Sequence, residues 1–112
     1  MNTLNFSDPF ANEEHPQRWA RIVDILDDGT LYTEDAERLW PIGTRLPSGD
    51  SEKAEALHAL SELTNDKIMF FTVHAVNTKG VLQVTLWSDQ QDLNKILLTK
   101  GYQESREDQD LK

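Results

Sequence analysis

The sequence has no cysteine among its 112 residues. This absence excludes disulfide bonds, thiolate zinc sites and cysteine nucleophiles, and it is typical of a protein from a reducing compartment. No apolar run approaches the roughly 20 residues that a helix needs to cross a bilayer. The N-terminus also lacks the basic and apolar regions of a secretory signal. From these absences we expect a cytoplasmic protein.

Basic residues are scarce. Eleven Lys and Arg stand against 20 Asp and Glu, which gives a formal net charge of -9. Affinity for a phosphate backbone comes from Lys and Arg side chains that release counterions, and anionic membranes attract the same side chains. The composition therefore disfavours nucleic acid as a partner and predicts no membrane binding. Hydrophobic residues make up 38% of the chain, which is enough for one small core.

The two ends of the chain lack the apolar patterning of its middle. Pro9 and Pro16 would interrupt a helix near the N-terminus, and the last ten residues, QESREDQDLK, are almost wholly polar. A chain of this length is typical of a single domain. We therefore predict a flexible N-terminal segment over 1–18, one folded domain over 19–102 and a polar tail over 103–112.

Apolar patterning in the first half of this domain predicts three strands. The turn Asp27-Asp28-Gly29 should join the first two as a hairpin, because Asp and Gly tolerate positive φ. Pro41 should end the third strand or place it at an edge, because proline has no N–H to donate to a neighbouring strand. The three strands cover residues 19–26, 30–33 and 38–42.

The second half predicts a helix, two strands and another helix. Asp50 or Ser51 can cap the first helix, whose apolar stripe is formed by Ala54, Leu57, Leu60 and Leu63. Strands follow at 67–76 and 81–87. The final helix has an apolar face of Leu93, Ile96 and Leu97, and Gly101 ends it at the C′ position. Five short strands with a helix between the third and the fourth are the plan of an OB-type barrel, so we expect a β-rich α+β fold.

The order of these segments resembles a staphylococcal-nuclease-like domain. The run ARIVDILDDGTLYTEDAERLWPIGTRLP is similar to that family's first three strands, with their "DGDT" turn and "RLIGIDAPE" loop. The run GVLQVTLWSDQQDLNKILLTKGYQ is similar to its closing strand and helix, and also to the nuclease-like half of extended Tudor domains. The similarity covers Trp19 to Tyr102, and it implies a five-stranded barrel of the nuclease-like type.

The residues that carry the chemistry of that family are replaced here. By the resemblance, Gly29 stands in place of a calcium-binding Asp, Trp40 in place of a phosphate-binding Arg, Arg45 in place of a loop Asp, and Ser48 in place of the catalytic Glu. The turn at 77–80, which carries a second Arg in the family, reads Asn-Thr-Lys-Gly. Calcium requires oxygen ligands, which the side chains of Gly29 and Arg45 do not supply. A one-residue shift would let Asp28 take the place of the missing Asp, but it would not restore the Arg, Asp and Glu together. The resemblance therefore implies a pseudonuclease that is not an enzyme and has no cofactor.

Other catalytic or metal-binding patterns are weak. The histidines His15, His58 and His74 are widely separated in sequence, and the serines lack a nucleophile elbow. The pair Asp27-Asp28 is explained by the hairpin turn. We therefore predict no catalytic residue, no metal ligand and no cofactor-binding residue.

Aromatic side chains on the predicted strands are candidates for an interaction surface. Adjacent residues on a strand face opposite sides, so at least one of Phe70 and Phe71 should be exposed. Core packing is the alternative role of these residues. The candidate surface comprises Tyr32, Trp40, Phe70, Phe71 and Trp87.

From these features we predict a non-catalytic protein-interaction module, with a peptide or a domain as its partner. The resemblance implies RNA-silencing or ribonucleoprotein assemblies as its setting. Two alternatives stay open, a residual calcium-dependent nuclease and a barrel that binds single-stranded nucleic acid. The second would need a local basic patch drawn from Arg21, Arg38, Arg45, Lys67 and Lys79.

Overall fold

The computed structural model describes residues 18–105, which form eight strands and two helices. The predictions for 1–17 and 106–112, including those for His15, lie outside the described residues. The elements are β1 (Arg18–Ile25), β2 (Leu31–Thr33), β3 (Arg38–Pro41), β4 (Thr44–Arg45), α1 (Asp50–Thr64), β5 (Ile68–Val76), β6 (Leu82–Ser88), β7 (Gln91–Asp92), α2 (Leu93–Leu98) and β8 (Gln103–Glu104).

Five of the strands close into a barrel. Strand β1 pairs antiparallel with β2 and β5, β2 pairs with β3, and β5 pairs with β6. The barrel closes where β3 pairs with β6 in parallel, with Leu39 opposite Leu82. Helix α1 connects β3 and the short β4 to β5, and α2 follows β6. This is an OB-type barrel with two helices, so the predicted β-rich α+β fold is confirmed.

The core lies inside the barrel and beneath the two helices. Alternate residues of each strand point inward, so that Ile22, Leu39, Phe71 and Val84 have no exposed surface. Leu60 of α1 is equally buried, and together these side chains belong to one contiguous apolar cluster.

Asn94 is a polar residue in this core, and its bonds join three parts of the fold. Its amide Nδ2 donates to the carbonyl oxygens of Ile42 (2.9 Å) and Val84 (3.0 Å), and its Oδ1 accepts from Leu86 N–H (3.0 Å). The side chain therefore ties the start of α2 to β6 and to the turn after β3.

The buried face of α1 differs from the predicted stripe. Ala54 is exposed, whereas Ala56, Leu60 and Thr64 are buried at a spacing of four residues. Two contacts explain the difference. Gly101 approaches Ala56 closely, since a methyl group at Gly101 would be in van der Waals contact with Ala56 Cβ at 3.5 Å. The Thr64 hydroxyl donates to the Leu60 carbonyl (2.7 Å), which satisfies it inside the protein.

The turns and helix ends follow the prediction in part. Gly29 has a φ of 92° and Leu26 N–H donates to Thr30 O (2.8 Å), which confirms the hairpin turn. Strand β3 ends at Pro41, as predicted. The N-cap of α1, however, is Gly49, without a capping bond from a side chain, so the predicted cap at Asp50 or Ser51 is wrong.

The end of α2 lies close to the predicted position. Its C-cap is Thr99, and Gly101, two residues further, has a φ of 111° that lets Tyr102 N–H donate to Leu97 O (3.1 Å). Gln103 and Glu104, which were predicted to belong to the polar tail, instead pair with Arg45 and Thr44 as β8. A two-residue strand has too little pattern to be recognised in sequence.

Candidate functional site

The structure separates the five aromatic residues of the candidate surface into three groups. Phe71 has no exposed surface and packs in the core, with the Arg18 guanidinium 5.2 Å from its ring centre. It cannot contact a partner, so its place in the predicted surface is wrong. Phe70 is 47% exposed, which confirms the prediction that at least one of Phe70 and Phe71 faces solvent. Phe70 and Trp87 are paired on β5 and β6, whereas Tyr32 and Trp40 lie on β2 and β3, elsewhere on the outside of the barrel.

The pair Phe70 and Trp87 belongs to a row of aromatic side chains that crosses three strands. Trp19 of β1 is opposite Phe70 of β5, and Phe70 is in turn opposite Trp87 of β6. Directly opposed Cβ atoms on neighbouring strands are about 4.5–5.5 Å apart, so the side chains are adjacent. We call Trp19, Phe70 and Trp87 the aromatic row. Ile68, also 47% exposed, extends the apolar surface along β5.

The members of the aromatic row differ in exposure. Trp19 is 59% exposed, whereas Trp87 is half-buried. The indole Nε1–H of Trp87 donates to the Thr72 hydroxyl (3.2 Å). The hydrogen bond orients Trp87, and the paired strands hold the positions of Trp19 and Phe70. The aromatic row is therefore a surface whose shape the barrel sets in advance.

Trp19 was not included in the predicted surface, although the sequence of β1 indicates that its side chain faces solvent. Arg21 shares its face of β1, and an arginine between apolar residues indicates a strand face in contact with solvent. What the sequence could not show was the register that places Trp19 beside Phe70, because strand pairing between distant segments leaves no local pattern.

Three carboxylates lie near the aromatic row, and the cations beside it, Arg18, Arg21 and Lys67, each have a partner within the protein. Asp92 lies opposite Trp87, and Asp89 occupies the exposed turn that follows β6. At the other end, Asp66 is close to Ile68 in sequence and its carboxylate lies 3.8 Å from the Arg21 guanidinium. Because that guanidinium also donates to Asp66 O (3.1 Å), the charges of Arg21 and Asp66 partly offset one another.

Elsewhere on the barrel, a cleft lies between two loops. Leu31 pairs with Leu39, and Leu39 with Leu82, so the loops before β2 and before β6 lie side by side. The cleft between them has a volume of about 320 Å³. We call it the loop cleft; its lining includes Asp28, Thr30, Trp40, Asn77, Lys79 and Gln83.

Hydrogen bonds within the protein hold the polar groups of the loop cleft in place. Bonds from the Thr30 side chain and then from its backbone N–H (2.9 Å) lower the pKa of Asp28, and the charge of Lys79 adds to this effect. Asp28 is thus an anion at neutral pH and not a proton donor. Asn77 Oδ1 accepts from the N–H groups of Lys79 and Val81 (both 2.9 Å), which shapes the second loop.

A side chain at position 29, beside the loop cleft, would be crowded by three neighbouring side chains. A methyl group there would lie 3.2 Å from Leu46 Cδ1 and 3.3 Å from both Trp40 Cζ3 and Leu57 Cδ2. The Trp40 indole is itself fixed, because Nε1–H donates to Thr44 O (2.9 Å). Packing thus restricts the space available to a longer side chain at position 29.

The basic residues considered for nucleic-acid binding are mostly dispersed. Arg38 donates to the Lys79 carbonyl, so these two cations meet at the rim of the loop cleft. Arg21 is paired with Asp66, and Lys67 Nζ donates to Glu62 O (2.7 Å). Arg45 is exposed on β4.

The remaining candidates for chemistry do not come together. His58 lies 3.2 Å from Glu62 on α1, whereas His74 Nε2 is 2.8 Å from the Thr85 hydroxyl on the barrel. Within residues 18–105, no group of three or more His, Cys, Asp and Glu side chains could hold a metal ion. Neither α1 nor α2 is long and apolar enough to cross a bilayer.

The fold and its two surfaces define a small OB-type barrel with an aromatic row and a loop cleft. No protein-family model, curated protein or solved structure matches the chain.

Proposed function

We propose that the barrel is a non-catalytic protein-interaction module that binds its partner through the aromatic row. The observation that supports this proposal is the alignment of Trp19, Phe70 and Trp87 across three strands, with Trp19 and Phe70 about half-exposed. Single exposed apolar residues are ordinary on protein surfaces, but contiguous ones mark interaction sites.

The kind of residue in the row also supports protein binding. Tryptophan and tyrosine are enriched among the interface residues that contribute most of the binding energy. Because the strands hold the row in place, a partner does not have to order it, and binding loses less conformational entropy.

A non-catalytic role is supported by the chemistry of the loop cleft. Asp28 is the one carboxylate among the described lining residues, and it is engaged by Thr30, so the loop cleft lacks a pair of carboxyl groups for general acid and base catalysis. By the nuclease resemblance, the positions of two Asp, one Arg and one Glu of that family are replaced here. The replacing residues are Gly29, Arg45, Trp40 and Ser48. The crowding at Gly29 favours the same conclusion. By the same resemblance, we propose that the module acts as an adaptor in RNA-silencing or ribonucleoprotein assemblies.

The proposal is tested by selecting binders from a displayed library of random peptides. The selected peptides are then titrated against the wild-type protein and against Trp19→Ser and Phe70→Ser. We expect peptides whose affinity falls by about tenfold or more in both variants, because truncating a central aromatic anchor typically costs more than about 1.4 kcal/mol.

Val76→Ser is the matched control, because Val76 is 58% exposed but lies at the far end of β5, opposite Leu82. It should leave the affinities unchanged. Circular dichroism melting establishes that all three variants fold. If every selected peptide binds the row variants as well as the wild type, the proposal is wrong.

A second candidate function, binding of single-stranded nucleic acid, is favoured by the loop cleft. OB folds bind oligonucleotides with the outer face of strands 2 and 3 and the loops beside it. Here Trp40 offers a ring for base stacking, and Arg38 and Lys79 offer charge for phosphate. Labelled single-stranded RNA and DNA should then bind at low salt with a steep salt dependence that Lys79→Ala reduces. Absence of binding at low salt removes this candidate.

A further inference from the structure

We infer that the aromatic row binds a short basic segment of its partner, in which apolar side chains alternate with Lys or Arg. This inference rests on the proposed function and adds the chemical class of the partner. It follows from the size of the apolar surface, the charge around it and the spacing of the row.

The exposed apolar area is too small for a stable contact between two folded proteins. A fully buried aromatic side chain removes about 150–250 Å² from solvent. The exposed parts of Trp19 and Phe70, with the smaller contributions of Trp87 and Ile68, thus amount to roughly 300–400 Å². A standard interface buries about 800 Å² on each partner. A short peptide segment needs far less surface than that.

Charge favours a basic segment over a second copy of this chain. Each copy has a formal net charge of -9, so two copies repel one another. Asp92 lies opposite Trp87 and also accepts from Lys95 N–H (3.2 Å), Asp89 occupies the exposed turn next to Trp87, and Asp66 is paired with Arg21 near Ile68. A positively charged segment is therefore attracted to this face and an acidic one is repelled.

The geometry of the row sets the spacing of the apolar anchors. From Trp19 to Trp87 the row crosses two strand spacings, about 10 Å at roughly 4.8 Å each. In an extended segment, side chains on the same face recur every 6.6–6.8 Å or so. Two apolar residues separated by one basic residue therefore cover the row. In a regular extended segment the basic residues face away from the row, so they approach the neighbouring carboxylates through their long, flexible side chains.

Three synthetic peptides of equal length test the inference by fluorescence anisotropy. The first alternates leucine with lysine, the second replaces each lysine by glutamate, and the third replaces each leucine by serine. We expect the first to bind at least about tenfold more tightly than either of the others, with an affinity that falls as salt rises. Trp19→Ser and Phe70→Ser should abolish this preference, whereas Val76→Ser should preserve it.

A pair of charge variants tests the role of the carboxylates without changing the backbone. Asp66 and Asp89 have φ values of 62° and 50°, a region that asparagine also tolerates. The double variant Asp66→Asn, Asp89→Asn should weaken binding of the first peptide about threefold or more and flatten its salt dependence. The control is Asp27→Asn with Glu55→Gln, two exposed residues in the hairpin turn and on α1, which changes the net charge equally.

The outcomes separate this inference from the proposed function. If the glutamate peptide binds as tightly as the lysine peptide, or if the first peptide binds no better than the third, the inference is overturned. Row-dependent binders from the random library would still support the proposed function in that case. If the control double variant weakens binding as much as the test variant does, net charge alone governs binding and the assignment to Asp66 and Asp89 is wrong.

Discussion

The Tyr102 hydroxyl is a buried polar group that contributes nothing favourable to the fold. Tyr102 is 4% exposed, and its hydroxyl has no hydrogen-bond partner in the described part of the chain. Burial raises the pKa of Tyr102 well above its ordinary value of 10. The residue is retained for its ring, which belongs to the core cluster.

Tyr102→Phe should therefore increase the free energy of unfolding by about 1 kcal/mol, because the desolvation cost of the hydroxyl is removed while the ring stays. The raised pKa adds a pH dependence. Ionisation of Tyr102 does not affect the free energy of unfolding below about pH 10. Above that pH the free energy of unfolding of the wild type falls as the pH rises towards the folded-state pKa, because the unfolded chain loses the proton first. Urea unfolding at neutral and alkaline pH measures both effects. If the substitution lowers stability instead, the hydroxyl has a partner such as an internal water molecule.

Asn94 shows the opposite case, a buried side chain whose hydrogen bonds are all within the protein. Asn94→Leu should lower the free energy of unfolding by about 3 kcal/mol or more, because it leaves the Leu86 N–H and the Ile42 carbonyl without this partner. Asn94→Asp keeps the acceptor but places a carboxylate against two carbonyl oxygens, so its cost should decrease at acid pH. Urea unfolding at two pH values measures these changes, with Asn65→Asp as an exposed control. A loss below about 1 kcal/mol for Asn94→Leu would contradict this account.

At the scale of elements, the hairpin turn between β1 and β2 determines what the loop cleft can contain. Gly29 and Gly43 both have positive φ, at 92° and 82°. A methyl group at Gly29 would meet Leu46, Leu57 and Trp40, whereas one at Gly43 has no atom within 4 Å. The two glycines thus separate the effect of backbone conformation from the effect of packing.

Gly29→Ala should cost more stability than Gly43→Ala, by about 1 kcal/mol or more, because only the former adds crowding to the strain of a left-handed backbone. Thermal or urea unfolding of the two variants gives the difference directly. Equal losses would show that Leu46, Leu57 and Trp40 move aside at little cost, and that the space beside the loop cleft is open to larger side chains.

The whole molecule presents one predominant charge and two separate surfaces. Gln83 lines the loop cleft and Trp87 belongs to the aromatic row, so the two surfaces are four residues apart along β6, about 13 Å at 3.3 Å per residue. The carboxylates of the barrel repel nucleic acid in general, which leaves the local pair of Arg38 and Lys79 as the favourable contribution at the cleft.

We predict that the protein does not cleave DNA or RNA when calcium is added. A side chain at position 29 would crowd Leu46, Leu57 and Trp40, and under the proposed resemblance to nuclease-like domains Trp40 and Ser48 stand in place of an arginine and a glutamate. Cleavage is measured by incubating labelled single- and double-stranded DNA and RNA with the protein and calcium, with added chelator as the control. Calcium-dependent cleavage that the chelator abolishes, and that persists after further purification, would show that the protein is a nuclease.

The fold was predictable because its signals are local. Turn residues such as Gly29 and Gly101, the alternation within strands, and the position of the helix between the third and fourth strands together specify an OB-type barrel. The strand pairs β4–β8 and β6–β7 were missed because each includes a two-residue strand, too short for a periodic pattern. The exposed Ala54 was placed wrongly because the buried face of α1 depends on its contact with Gly101.

The candidate surface was predictable in composition but not in arrangement. The sequence by itself determined that aromatic residues occupy the strands, that one of Phe70 and Phe71 faces solvent, and that the chain is acidic. Only the tertiary structure decided that Phe71 is in the core, that Trp19 joins Phe70 and Trp87, and that Trp40 lies apart from them, at the loop cleft. The physical reason is that side-chain alternation is set within one strand, whereas a row across strands depends on register between segments some fifty residues apart, such as Trp19 and Phe70.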